Sequence, residues 1–150
     1  TFLENTEKIV IMDNKEIEYG ITDIPPIEKP IKSIDKYWGH MDTLFETDDY
    51  SVKKIFMRKG SQSSLEYHVK KVESYYIDSG LLKVGLRVGR AKNKSIILQK
   101  GDVFHIKPGL MHMRMALEDT VIIEASTKDD DGDSHLVEDG HSYKFIEDKE

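Results

Sequence analysis

From Tyr50 onward the chain alternates apolar and polar positions in short runs separated by Gly, Asp and Lys. Leu82, Val84, Leu86 and Val88 alternate with Lys83, Gly85 and Arg87, the period-two signature of a strand with one buried face. The same reading predicts strands over 50–58, 64–69, 72–78, 82–88, 95–98, 102–106, 112–116 and 120–125. Residues 8–19 predict a short hairpin, with Ile9 to Met12 and Glu16 to Tyr19 flanking the turn-forming Asp13, Asn14 and Lys15. Residues 20–35 hold Pro25, Pro26 and Pro30, which predicts an extended connector rather than a helix or a central strand. Short strands at regular spacing, with no helical segment between them, predict an all-β sandwich or barrel.

Composition narrows the picture. A chain of 150 residues is most simply one domain, here an arm over 1–35 and a barrel over 36–150. At this size a core buries roughly 70% of the unfolded surface. Lys and Arg number 22 against 28 Asp and Glu, and the net charge of -6 argues against nucleic acid as a partner. No run approaches the ~20 apolar residues of a membrane span. The first residues carry neither the charged nor the apolar region of a secretory signal. The absence of Cys excludes disulfides, thiolate metal sites and Cys nucleophiles, and fits a reducing cytoplasm.

Candidate chemistry concentrates between Gly60 and Gly80. Glu66 and His68 are two apart, so on a strand both side chains leave one face. Glu73 has the opposite parity, and a turn or bulge near Lys70 and Lys71 is expected to bring it onto a neighbouring strand. His112 follows a second glycine-bounded strand. Two imidazoles with one or two carboxylates suit a divalent first-row ion such as Zn, Mn, Ni or Fe. For each residue a plainer role stands beside this one: packed polar histidines, an exposed strand carboxylate at Glu73, and ligand, base or neither at Glu66.

The spacing Gly60-x5-Glu66-x-His68-x4-Glu73-x6-Gly80 resembles the first motif of the cupins. The segment from Gly101 through Pro108 and Gly109 to His112 resembles the second. Within the cupins the chain is most similar to the type II mannose-6-phosphate isomerase domain, through Lys36-Tyr37-Trp38-Gly39, through Ser64-Leu65-Glu66-Tyr67-His68, and more loosely through Asp129 to Glu138. Glu66 stands where that family has Gln, Lys107 takes the usual place of the motif proline, and Ala116 replaces the expected Asn. The resemblance implies a single-domain cupin jelly roll (a double-stranded β-helix barrel), one divalent cation, a homodimer, and a small-molecule substrate of the sugar or sugar-phosphate class.

On that footing the metal ligands are expected to be Glu66, His68, Glu73 and His112, with Glu66 also the base of an aldose–ketose proton transfer. Arg114, two beyond His112, is expected on the same face as an anion contact, with a rim salt bridge as its plainer role. Tyr75 shares the parity of Glu73 and lines the cavity or packs in the core. Lys70, Lys71 and Lys107 are expected to be mostly solvated, as are His40, His135 and His141, while His105 is structural. The acidic run from Asp129 to Asp133 lacks EF-hand spacing and reads as a solvated loop. Gly85 to Gly89 lacks the third glycine of a nucleotide fingerprint. A non-catalytic small-ligand-binding cupin and an Fe-dependent cupin oxygenase are the alternative readings.

Overall fold

A computed structural model describes residues 9–12, 15–18, 20 and 22–149. β1 (Ile9–Met12) and β2 (Lys15–Glu18) pair antiparallel, as the hairpin pattern predicts, and the turn residues Asp13 and Asn14 lie outside the described residues. Among the described residues, eleven further strands build two sheets. They are β3 (Lys32–Lys36), β4 (Gly39–Glu46), β5 (Tyr50–Met57), β6 (Leu65–Tyr67), β7 (Glu73–Ser79) and β8 (Leu81–Val88). The rest are β9 (Lys92–Gln99), β10 (Val103–Ile106), β11 (Met111–Ala116), β12 (Thr120–Thr127) and β13 (His135–Glu138). One sheet runs β10-β7-β12-β5-β4-β3 and the other β13-β6-β11-β8-β9. Neighbouring strands in both sheets pair antiparallel.

Period-two burial explains why two sheets face each other. Inward positions of β5 carry Ile55 and Met57, those of β7 Tyr75 and Ile77, and β12 adds Ile122. From the second sheet come Leu82, Val84, Leu86, Leu98 and Ala116, closing one apolar core. β8 alternates as predicted up to Leu86, but Gly85 is also buried, because Phe145 packs where its side chain would stand. Val88 is exposed, since the strand leaves the barrel for the turn at Gly89.

Three strands, β3, β4 and β13, escaped the pattern. β3 and β4 pair across the Tyr37–Trp38 turn; β3 exposes Lys32, Ser33, Asp35 and Lys36 while β4 exposes Phe45 beside Glu46, which breaks the alternation. β3 sits at the sheet edge, where a strand following prolines is tolerated. β13 is short and pairs with β6 through a register shift. Beyond it the chain crosses the outside of the second sheet. There Gln62 donates to the carbonyls of Gly140 and Tyr143, and Asn93 and Arg87 both donate to the Tyr143 hydroxyl. Among the described residues no helix is long and apolar enough to cross a membrane.

Candidate metal centre

Four side chains from three strands and one crossing loop converge at one end of the core. Glu66 lies on β6 and pairs in register with His112 on β11. His68 follows the last residue of β6, and Glu73 opens β7. The expected turn near Lys70 and Lys71 is present, but it carries Glu73 to the opposite sheet rather than to a neighbouring strand. That crossing places the carboxylate against the imidazoles from the other side of the barrel.

Ligand atoms of Glu66, His68 and His112 all lie within 4.8 Å of one another. The Nε2 of His112 is 2.9 Å from Glu73 Oε1, and the Nε2 of His68 is 3.6 Å from the same oxygen. Glu66 Oε1 lies 3.9 Å from His68 Nε2. Both rings are oriented from behind: His68 Nδ1 faces the Asp133 carbonyl at 3.1 Å and His112 Nδ1 faces the Leu110 carbonyl at 2.8 Å. A ring nitrogen that donates to a carbonyl leaves its partner nitrogen with a free lone pair. The two Nε2 atoms are buried and make no hydrogen bond. An unprotonated Nε2 beside a carboxylate oxygen sets one lone pair against another, a contact that a cation between them relieves. Unpaired buried acceptors are rare because they cost desolvation without return. Two aimed imidazole nitrogens beside carboxylate oxygens are the donor set of a divalent first-row cation, and the residues fit one.

A cavity of about 320 Å³ opens beside this cluster. Its wall includes Trp38, Glu66, Tyr75, Arg114 and Glu124. The Arg114 guanidinium sits 5.0 Å from the Trp38 ring centroid and 6.0 Å from that of Tyr75. Its orientation into the cavity matches the parity reading from His112. The same parity holds for Tyr75, which is buried and bonds Glu73 Oε1 from its hydroxyl at 3.4 Å. Burial raises the pKa of that hydroxyl well above its usual value.

Two sequence expectations are overturned here. Lys71 is not solvated: it is 6% exposed, and its ammonium lies 3.0 Å from Asp129, 3.3 Å from Glu73 and 3.9 Å from Glu124. Nor is the acidic run a solvated loop. Asp129 binds both Lys53 and Lys71, while Asp133 is buried and accepts the backbone N–H groups of Val69, Lys70 and Lys71. Unpaired amides of the crossing loop recruit Asp133, and buried ammoniums recruit Asp129, neither of which is visible in a linear pattern. Lys70 and Lys107 are exposed, as expected. His40, His105, His135 and His141 stay outside the cluster, with His40 held between Asp35 and Asp42 and His105 bonded to Ser74.

Glu124 is the residue that motif reading missed. The available signal was parity: on β12 it shares the inward face with Ile122 and Ser126. Two ammoniums, Lys53 and Lys71, face three carboxyls, Glu73, Glu124 and Asp129. Burial pushes the Glu124 carboxyl up to about 7, and the neighbouring charge of Glu73 adds to the rise. Burial also opposes ionisation of Glu73, but His112, His68 and Lys71 outweigh it and hold that group well below the usual carboxylate range. A carboxyl raised in the folded state binds its proton more tightly there than in the unfolded chain. The stability it contributes is full below the unfolded pKa and is lost as pH rises through about 7. Between pH ~4.5 and ~7 the wild type is therefore expected to lose stability relative to Glu124→Gln. Urea midpoints measured across that range check it, and parallel curves for the two proteins contradict it.

Comparison with known proteins places these elements. A family model described as Cupin matches residues 36–144. Mannose-1-phosphate guanylyltransferase 2 from Escherichia coli O157:H7 is 29% identical over 112 residues, covering 71% of this chain. The chain spans only 22% of the length of that enzyme. KdgF from Halomonas sp. superposes with a TM-score of 0.60 at 20% identity, over 70% of this chain and 98% of its own. The capsular polysaccharide assembling protein CapF from Staphylococcus aureus superposes at 0.66 and 19% identity, over 74% of this chain and 32% of its own. A single-residue variant of oxalate decarboxylase from Bacillus subtilis superposes at 0.59 and 17% identity, over 77% of this chain and 34% of its own. At such identities the superpositions speak for the fold alone. The family match rests on sequence, runs through nearly all of both sheets, and covers most of the residues, so this chain belongs to the cupin family.

Proposed function

We propose that this cupin binds one divalent cation through His68, His112, Glu66 and Glu73 and interconverts the aldose and ketose forms of a sugar or sugar phosphate. The observation that carries the reading is the pair of buried, unpartnered Nε2 atoms of His68 and His112, aimed at carboxylate oxygens beside a polar cavity. Likeness to a mannose-1-phosphate guanylyltransferase supports the choice of sugar phosphates. A bound cation, whether Zn, Mn, Ni or Fe, would supply Lewis acidity toward a carbonyl oxygen.

The chain's own groups do the rest. Trp38 and Tyr75 wall the cavity, and Arg114 makes no ion pair among the described residues, leaving its guanidinium for an anionic or hydroxyl-rich substrate. Glu66 takes the proton from C2 and returns it to C1, while the hydroxyl proton passes from O2 to O1, so no oxidant or reductant is consumed. Glu124, poised near neutrality and on the same wall, relays that second proton. We further place the protein in the cytoplasm as a homodimer, with residues 1–35 as the pairing arm and 36–150 as the barrel domain. Ile24 and Ile27, 94% and 98% exposed on that arm, support the dimer, and β3 brings the end of the arm onto the barrel edge. Light scattering that reports only monomer at micromolar concentration removes it.

The test incubates metal-loaded protein with phosphorylated and free aldoses in deuterated water and follows the sugars by proton NMR. Ketose with deuterium at C1 is expected, since the proton held on Glu66 exchanges with solvent before its return. Binding of a sugar without conversion would leave a non-catalytic binding cupin. Stoichiometric iron with oxygen consumption would replace the isomerase by an oxygenase.

A further inference from the structure

We propose that Asp133 is a positioning residue: from a turn 65 residues away in sequence it holds the crossing loop of residues 68–71, and so aims His68 and Lys71 into the site. Its main-chain carbonyl faces His68 Nδ1 at 3.1 Å. Its carboxylate accepts the N–H groups of Val69 at 2.8 Å, Lys70 at 3.0 Å and Lys71 at 2.9 Å. Four consecutive residues are thus fixed by one.

The loop needs such an anchor. Between β6 and β7 it leaves one sheet for the other, so its amides have no strand ladder to join. A carboxylate is acceptor-only, with two oxygens able to serve three donors; an asparagine would turn an NH2 toward at least one of them. Asp133 is itself held, as the last residue of the 3-10 turn Asp131–Asp133. There its N–H bonds the Asp130 carbonyl at 2.8 Å, and Asp130 Oδ1 accepts the Gly132 N–H at 3.0 Å. The carbonyl at Nδ1 assigns the His68 proton to that nitrogen, which leaves the Nε2 lone pair directed at Glu73 and Glu66. Lys71, the next residue but two, is delivered by the same anchor to its three carboxylates. The acidic turn is therefore the buckle that couples the C-terminal segment to the metal centre.

The test has two readouts, of which only the second rests on the metal-binding reading. Nitrogen-15 labelled full-length protein without metal is examined by long-range proton–nitrogen NMR as wild type, Asp133→Asn, Asp133→Ala and the remote core variant Leu98→Ala. His68 is expected as the Nδ1–H tautomer in wild type and in Leu98→Ala, with the proton redistributed toward Nε2 in Asp133→Ala and part-way in Asp133→Asn. Titration with Co(II) alone is then expected to show about 10–100-fold weaker binding in Asp133→Ala than in wild type. Leu98→Ala is expected to bind as wild type does, which separates positioning from general loss of stability. If Asp133→Ala does not fold, Asp133→Asn decides by the same two measurements. Wild-type tautomer and Co(II) affinity in the Asp133 variants would overturn the proposal. Equal losses in Leu98→Ala would overturn it too, by reducing the effect to stability. A wild type that keeps the Nδ1–H tautomer yet takes no Co(II) would instead overturn the metal reading and leave the anchor standing.

Discussion

Replacing His68 and His112 together by alanine is expected to abolish stoichiometric metal in protein purified without a histidine tag, as read by elemental mass spectrometry. One imidazole enters from the crossing loop and the other from β11, and each has its Nδ1 spent on a carbonyl, so Nε2 is the only nitrogen either can offer. Remaining carboxylates alone are a poor competitor for a first-row ion against buffer and water. The stability consequence has a definite sign. A cation that binds the folded chain at a hundred times its dissociation constant stabilises it by about 2.7 kcal/mol. Wild type should therefore melt higher when metal is added, and the double variant should not respond. Measured without metal, the variant is expected to be less stable than wild type, because His112 and His68 also help hold the buried Glu73 carboxylate in its ionised form. A variant that retains bound metal, or a wild type that never takes any after incubation with Zn, Mn, Ni and Fe, defeats the assignment.

Lys71→Met is expected to be the most damaging single substitution near the site, costing about 3–5 kcal/mol. Lys71 is 6% exposed, and its ammonium is shared among Asp129, Glu73 and Glu124. Burial alone would lower the Lys71 pKa, but Glu124, Glu73 and Asp129 outweigh it and raise the value. Once the ammonium is gone, Glu73 and Glu124 face each other with no cation between them, and Asp129 keeps only Lys53. In a domain of this size such a loss lowers the melting temperature by roughly 10 °C. Above pH ~7, where the Glu124 carboxyl is ionised, the double variant Lys71→Met/Glu124→Gln should recover part of it, because a neutral amide does not repel Glu73. Thermal unfolding of wild type, single and double variants at one pH separates these cases. A single variant within about 1 kcal/mol of wild type would show that the ion cluster is solvated rather than buried, against the usual cost of stranding a charge.

Much of the architecture could be read from residue order, because a strand's two-residue period is a local property. Alternation along 50–58, 72–78 and 120–125 leads directly to β5, β7 and β12, and the glycine-bounded spacing of Glu66, His68, Glu73 and His112 points to one chemical cluster. Glycines and prolines likewise marked the breaks between elements, since their backbone limits act wherever they occur. What the order of residues left open was every relation that depends on which strand faces which. Whether Glu73 joins the histidines from a neighbouring strand or from the opposite sheet is settled by the crossing at residues 68–71, and only the folded barrel makes it the latter. Lys71 looks like any surface lysine until β12 brings Glu124 beside it and the chain after β12 brings Asp129. Asp133 reads as one more acid in a charged run until three amides with no strand partner turn toward it. Periodicity and ligand type travel with the residue and are legible in advance. Partners for buried charges and for unpaired amides are supplied by distant chain, and the tertiary structure alone decides which residues those are.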